Sequence, residues 1–293
     1  MNKTNTKIDA YQTVTDAIVS AIEAGRGALR NRWLGTATGN ALRVTGDEYR
    51  GINAFTLGLI GWAQGYQSAH WMTFKQALDL GGAVRKGEKS SPVVFYKQLE
   101  VERDGDDGAD GERETIRMAR LYRVFNVDQI DGLPDRFRLA PPTETLPAKE
   151  RNAAAEAVLR ATGASIAEDG GNRAFYNIGA DSIHLPAFDR FLSTDDYLAT
   201  MAHELCHWTG AKHRLDRPQL NRFGSPAYAE EELVAEIGAA FVCNALGIAG
   251  EHVESHAGYV ENWLQALKND KRHIFKAAAA AQAAADMVLG KAA

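Results

Sequence analysis

Residues 203–207 read His203-Glu204-Leu205-Cys206-His207, and this string constrains the fold more than any other in the chain. Two histidines four positions apart share a face on a helix, where both imidazoles can point at one ion. The spacing therefore predicts a helix over 195–209, opened by the cap-forming run Ser193-Thr194-Asp195. Leu198, Met201, Ala202 and Leu205 give that helix an apolar inner side. Glu204, beside the two ligands, is placed to act as general base for an attacking water. The pattern describes a hydrolytic metal centre with His203 and His207 as ligands and Glu204 as the catalytic carboxylate.

A tetrahedral catalytic zinc takes three protein ligands and keeps one position open. Two residues compete for the third place. His213 completes the string His203-x3-His207-x2-Gly210-x2-His213, the extended form in which the last histidine ligates. That form comes with a downstream Met-turn, and no methionine lies between Met201 and Met287. His213 also sits inside the basic run Lys212-His213-Arg214. The other candidate is Glu232, on a helix predicted over 228–246. Glu232 and Glu236 fall on one face among Leu233, Val234, Ile237, Ala240 and Phe241. Inward carboxylates in such a helix are costly unless paired or metal-bound. Glu232 is favoured as the ligand, with Glu236 accepting the second N–H of a ligand histidine. Glu230 and Glu231 read as a favourable charge cluster at the helix N-terminus. Zn²⁺ suits this donor set, with another divalent ion such as Mn²⁺ as the alternative.

The chain is 293 residues long, which suits one large domain or two ordinary ones. A run of three prolines over 140–150, APPTETLPAKE, marks a linker. The organisation expected is residues 1–140, a linker over 141–150, and residues 151–293. Helices are expected over 8–25, 53–65 and 71–80 in the first part, followed by strands over 92–102 and 115–127. An acidic, glycine-rich loop separates those strands. The second part is expected to be mainly helical (149–162, 195–209, 228–246 and 252–289), with two short strands inside 173–185. No internal repeat is present. The first 25 residues lack the continuous apolar core of a signal peptide, and no apolar run reaches transmembrane length. Two cysteines, Cys206 and Cys243, cannot build a disulfide framework; buried thiols in a reducing, cytoplasmic setting are expected.

The net charge of -5 argues against a nucleic-acid partner when read as one number. Its distribution argues otherwise. Residues 1–97 hold 12 Lys and Arg against 7 Asp and Glu, a net of +5, which leaves -10 for the remainder. Ten aromatic residues share that basic stretch. Basic groups attract phosphates, and aromatic faces stack on unpaired bases without reading sequence. Arg85, Lys86 and Lys89 form a compact basic loop, and Tyr49-Arg50 a second basic-aromatic pair. With Trp71 and Lys75, these are the candidate contacts to single-stranded DNA.

The chain resembles the ArdC antirestriction proteins of conjugative plasmids along nearly its whole length. The first half carries Tyr11-Gln12-x-Val14-Thr15-Asp16, Tyr49-Arg50-Gly51-Ile52-Asn53, Trp71-x-Thr73-Phe74-Lys75-Gln76 and Gly81-Gly82-x-Val84-Arg85-Lys86-Gly87-Glu88. This module is similar to one found in TraC- and LtrC-like plasmid proteins, and the resemblance implies a single-stranded-DNA-binding domain. The second half carries His203-Glu204-Leu205-x-His207-Trp208-Thr209-Gly210, Arg214-Leu215-x-Arg217 and Glu231-Glu232-Leu233-Val234-Ala235-Glu236-Ile237-Gly238. It resembles a zincin-type metallopeptidase of the Glu-ligand kind, which implies Glu232 as third ligand. The fold implied is α+β in two domains: an α+β DNA-binding module, then a mainly helical zincin-like domain with a small sheet. The role implied is protection of plasmid DNA that enters a recipient as a single strand. Two other readings stay open: a protease that cleaves a host protein on a DNA scaffold, and a DNA-binding protein whose metal is purely structural.

Overall fold

The computed structural model describes residues 9–25, 40–102, 113–137, 148–219, 225–248 and 270–291. Its first half is built on two helices, α1 (Ala10–Gly25) and α2 (Gly51–Gln64). The Asp9 carboxylate accepts the Tyr11 and Gln12 N–H groups at the start of α1, at 3.0 and 3.2 Å. Helix α2 stops at Gly65, whose φ of 68° is the left-handed conformation glycine adopts without steric cost. The helices pack on a four-stranded sheet of order β1-β2-β5-β4, from β1 (Leu42–Arg43), β2 (His70–Met72), β4 (Ser91–Glu102) and β5 (Arg113–Asn126). Strands β4 and β5 form a long antiparallel hairpin, in register from Ser91 opposite Val124 to Glu102 opposite Arg113. A two-stranded ladder of β3 (Ala83–Val84) and β6 (Ile130–Asp131) completes this half.

The segment 71–80, expected as one helix, is divided. Trp71 and Met72 lie in β2, between β1 and β5, and only Phe74–Asp79 is helical (α3). Thr73 marks the switch: its side chain caps the Gln76 N–H, and the Gln76 side chain returns a bond to the Thr73 N–H at 2.8 Å. Trp71 and Met72 are 2% and 0% exposed. Pairing in the sheet and burial outweigh a helical pattern that is only local.

The second half contains α4 (Ala148–Arg160), β7 (Ser165–Ala167), β8 (Phe175–Asn177), β9 (Ser182–His184), α5 (Thr194–Thr209), α6 (Pro226–Leu246) and α7 (His273–Val288). Its small sheet has the order β7-β9-β8, one strand more than the sequence pattern suggests. Ser193 caps α5 by accepting the Asp196 N–H at 3.0 Å. Ser225 caps α6, with Pro226 in its first turn, where a missing N–H costs nothing. The acidic loop over 104–112, most of the proline-rich linker and the stretch 252–269 of the expected tail helix lie outside the described residues. Among the described residues no helix is long and apolar enough to cross a membrane.

One apolar core runs through both halves, from Val14, Ile18 and Leu57 to Leu198, Met201, Ile237 and Ile274. Full burial of each large aliphatic side chain contributes roughly 1.5–3 kcal/mol. Helix α7 joins the halves. Its buried face is Ala277, Ala278, Ala281, Ala284 and Ala285, side chains so small that α2, α5 and α6 can all lie against one helix. Polar contacts close the same seam. The Gly51 N–H donates to Gln282 Oε1 at 2.8 Å, and Arg50 pairs with Asp286. Thr15 Oγ1 donates to the Lys271 carbonyl at 3.1 Å.

Helices α5 and α6 meet at Gly238, where an added Cβ would lie 2.9 Å from Cys206 Sγ and 3.4 Å from the Ala281 carbonyl. Gly238→Val is therefore expected to destabilise the protein by about 1–3 kcal/mol through overpacking. Thermal unfolding should show the loss, and Cys206→Ala in the same chain should recover much of it. Unchanged stability of the single variant would mean that the helices are not in close contact here.

Candidate metal centre

Helix α5 carries His203 and His207 on the side that faces α6, and α6 answers with Glu231, Glu232 and Glu236. Glu231 and Glu232 lie in the first half of the 21-residue helix and Glu236 at its midpoint. The Nε2 atoms of His203 and His207 are 3.1 Å apart. Glu232 reaches both: Oε2 is 3.7 Å from His203 Nε2, and Oε1 is 3.7 Å from His207 Nε2. Ligands about 2.0–2.2 Å from a tetrahedral ion stand about 3.3–3.6 Å from one another. At 3.1 and 3.7 Å, the two imidazole nitrogens and the carboxylate come within about 0.2 Å of that spacing, so the donor set fits a divalent cation. Glu204 is 6% exposed and next in the chain to the first ligand.

A second layer of side chains holds the ligands. Glu231 Oε1 lies 3.2 Å from His207 Nδ1, the ring nitrogen turned away from the donor cluster. Arg217 grips the same carboxylate with a fork, Nε to Oε2 at 2.9 Å and Nη2 to Oε1 at 2.8 Å. Arg217 also donates to the Cys206 carbonyl at 2.7 Å and to Thr209 Oγ1 at 2.9 Å, which ties it to the end of α5. Gln219 adds a bond to Glu231 Oε1 at 3.2 Å. On the other ligand, Glu236 Oε1 stands 3.7 Å from His203 Nδ1. His207 thus has a hydrogen-bonded carboxylate on its far nitrogen, the arrangement that fixes ring orientation at metal sites, while Glu236 stands beside the far nitrogen of His203 beyond hydrogen-bond reach.

Charge balance makes this burial tolerable. Burial alone would raise the Glu231 pKa, but the hydrogen bonds from Arg217 and His207 hold it down at about 2. Burial alone would lower the pKa of His207. Its hydrogen bond with Glu231 and the charges of Glu232 and Glu204 lift it to about 9.

Gly210 has a concrete steric role. A Cβ there would lie 2.5 Å from Gln219 Nε2 and 2.9 Å from Arg217 Nη2. Its bareness lets both side chains cross over the end of α5.

His213, the alternative third ligand, is 65% exposed and stands 3.3 Å from Asp181. It belongs to a different cluster. Arg214 donates to Asp181 at 3.0 Å, to Tyr176 Oη at 3.2 Å and to the Trp208 carbonyl at 2.7 Å, with its guanidinium over the Trp208 ring. This clamp ties the β8–β9 turn to the end of α5. Bonding from Arg214 holds the Asp181 carboxyl at about 2, against partial burial. Cys206 and Cys243 are buried free thiols, and burial pushes both well above the usual thiol range.

The residues singled out for DNA separate into groups. Lys86 and Lys89 are exposed. Lys75 is exposed and pairs with Asp79 at 2.7 Å. Arg85 pairs with Glu88 at 2.9 Å and approaches Asp131 at 3.5 Å. Arg50 is engaged with Asp286 across the seam to α7. Tyr49 and Trp71, 6% and 2% exposed, line the inner wall of a cavity against the β4–β5 hairpin. Sequence reasoning missed Glu231 and Arg217 at the metal centre, and Arg43, Phe95 and Tyr122 around that cavity.

Two family models match separate parts of the chain. The zincin-like metallopeptidase family matches residues 153–280, and the N-terminal domain of anti-restriction factor ArdC matches residues 8–125. Fold and site therefore define a two-domain protein that joins an ArdC-type N-terminal domain to a zincin-like metallopeptidase domain. The metal-free crystal structure of antirestriction ArdC from plasmid R388 superposes with a TM-score of 0.77 at 45% identity, covering 96% of this chain and 97% of that one. Its Mn(II)-bound form gives 0.72 at 43% identity, covering 97% and 98%. The chain belongs to the ArdC antirestriction family, whose fold accommodates a divalent metal. An uncharacterised protein of Sinorhizobium fredii, y4eC, is 38% identical over 96% of this chain and 92% of its own length. A DNA primase TraC of Escherichia coli is 41% identical over 95% of this chain but only 20% of TraC. A second TraC from the same species is matched over 27% of its length, so the chain spans about a fifth to a quarter of these primases.

Removing the support of a ligand should weaken metal binding without removing a ligand. Glu231→Gln and Arg217→Ala are each expected to lower metal affinity about 10–100-fold, measured by chelator competition. Affinity equal to wild type in both would show that the second layer is idle. The acid side offers a separate check. The folded-state pKa of Asp181 lies below its ordinary 3.8, so its stabilisation is complete above that value and is lost as pH falls toward about 2. Asp181→Asn should lower stability at neutral pH and flatten its decline over that window. A parallel loss of stability at every pH would contradict the assignment.

Proposed function

We propose that this protein binds single-stranded DNA without sequence specificity and protects plasmid DNA entering a recipient's cytoplasm from restriction. Its second half is a metal-dependent peptidase, with zinc as the favoured ion and manganese as the alternative. The observation that carries the catalytic part is the three-donor cluster itself. His203, His207 and Glu232 leave a tetrahedral ion one position short, as hydrolysis requires. A purely structural metal would want a fourth protein ligand, and His213 is turned to Asp181 instead.

A cation held by these three residues would supply Lewis acidity to polarise a peptide carbonyl and to ease deprotonation of water. Glu204 accepts the proton of the attacking water and passes it to the departing amine. Glu231, braced by Arg217, keeps the His207 ring oriented, and Glu236 sits behind His203. The buried setting of Glu204 keeps bulk water from competing for that proton.

The DNA-binding part is supported by the basic balance of the first third and by exposed Lys86 and Lys89. It is supported further by aromatic side chains left at the surface of the β4–β5 hairpin, with Phe95, Tyr96 and Tyr122 at 37–50% exposure. Contacts of α7 with α2 favour a second version of the same reading, in which bound DNA positions a host protein for cleavage.

Binding of labelled oligonucleotides should favour single strands over duplex and weaken steeply with salt. Glu204→Gln should keep that binding and the metal while losing all proteolysis, including any that DNA stimulates. If plasmid protection in conjugation is unchanged in Glu204→Gln, protection does not depend on the peptidase. If wild type binds only duplex DNA, the single-strand reading is wrong.

A further inference from the structure

The β4–β5 hairpin presents one face that the metal centre does not use. Val93 and Phe95 point to that face from β4, and Tyr122 stands opposite Val93 on β5. Together with Arg43, Tyr49 and Trp71 they enclose a cavity of about 150 Å³. Its floor is buried: Val93, Trp71 and Tyr49 are 0–6% exposed. Its rim is aromatic and open, because Phe95 and Tyr122 meet edge to face at 5.4 Å and both remain in contact with solvent. Pockets for drug-sized ligands run to roughly 300–1,000 Å³, so this one suits a single planar ring and not a whole nucleotide.

Arg43 gives the cavity its chemistry. Its guanidinium lies 5.3 Å from the Tyr49 ring centre and 5.5 Å from that of Phe95, between the two rings. Its Nε is buried and has no hydrogen-bond partner. Among the described residues no carboxylate pairs with it. A buried donor of this kind costs free energy until an acceptor arrives. The surroundings are cationic as well. From Ser91 to Lys97 and from Met118 to Asn126 the two strands carry Lys97, Arg120 and Arg123 and no Asp or Glu. Arg120, directly opposite Phe95, and Lys97 are both exposed.

We infer that this cavity is a nucleobase pocket, which takes one unstacked base of a single strand against Phe95 and Tyr122. Arg43 donates to an acceptor on the edge of the base and stacks by cation–π contact, while Lys97 and Arg120 hold the flanking phosphates. The inference rests on the single-strand reading above and gives it a location. It also explains why Tyr49 and Trp71 are buried and still belong to a binding surface: they shape the floor.

The test compares an oligothymidylate with an abasic strand of equal length on the full-length protein. Phe95→Leu and Tyr122→Ala should each weaken oligothymidylate binding about ten- to a hundredfold, the range that loss of base stacking gives. Tyr122→Phe, which keeps the ring, should bind like wild type. The salt slope should be unchanged in the aromatic variants and smaller in Arg120→Ala, because only the latter removes a phosphate contact. The abasic strand should bind wild type and Tyr122→Ala alike. If wild type binds single strands but Phe95→Leu and Tyr122→Ala bind equally well, the pocket inference is overturned and the single-strand reading survives. If wild type binds no single strand, both fall.

Discussion

The metal centre exists because α6 can lie against α5 closely enough for carboxylates on one helix to reach imidazoles on the other. Gly238 permits that approach, since its absent side chain leaves room for the Cys206 thiol. The geometry of the candidate site in the second half follows from this contact. It puts Glu232 3.7 Å from both Nε2 atoms and places a carboxylate beside the far nitrogen of each histidine. Burying so many acidic groups together would be unfavourable if they were unpaired. Arg217 offsets this by entering from the segment between the helices and binding Glu231 bidentately, over a bare Gly210.

The same economy of small side chains joins the two halves of the molecule. Helix α7 is the last described element, yet it packs on α2 near the beginning of the chain as well as on α5 and α6. Its alanine face makes it a common wall. The parts recognised separately as an ArdC-type domain and a zincin-like domain therefore share one hydrophobic core. A change felt at Arg50 or Gly51 has a short physical route, through Gln282 and Asp286, to the helix that packs on α5 and α6.

Some of this was legible in the sequence, and the rest failed for identifiable reasons. The helix over His203 and His207 is legible because i, i+4 spacing is a local geometric fact. Glu232 and Glu236 are legible because carboxylates on the inner face of an apolar helix demand a partner. Glu231 was not, because an acidic residue near a helix N-terminus already has an adequate explanation in the helix dipole. Its bidentate partner is Arg217, which local pattern does not connect to it. Trp71 and Met72 fit a helical pattern and became a strand because β1 and β5 flank them. Arg50 looks like a phosphate contact until its partner appears, 236 positions away. Aromatic composition likewise cannot separate Tyr49 and Trp71, which line a wall, from Phe95 and Tyr122, which form a rim.

We propose that His203, His207 and Glu232 hold a divalent cation with no fourth protein ligand, and that Glu204 lies beside it as the base. Metal content and affinity of the purified protein, compared with Glu232→Ala, His213→Ala and Glu204→Gln, test it most directly. Wild type, His213→Ala and Glu204→Gln should bind stoichiometric divalent metal with similar affinity, and Glu232→Ala should lose it. Retention of full affinity by Glu232→Ala, or its loss in His213→Ala, would contradict this ligand set.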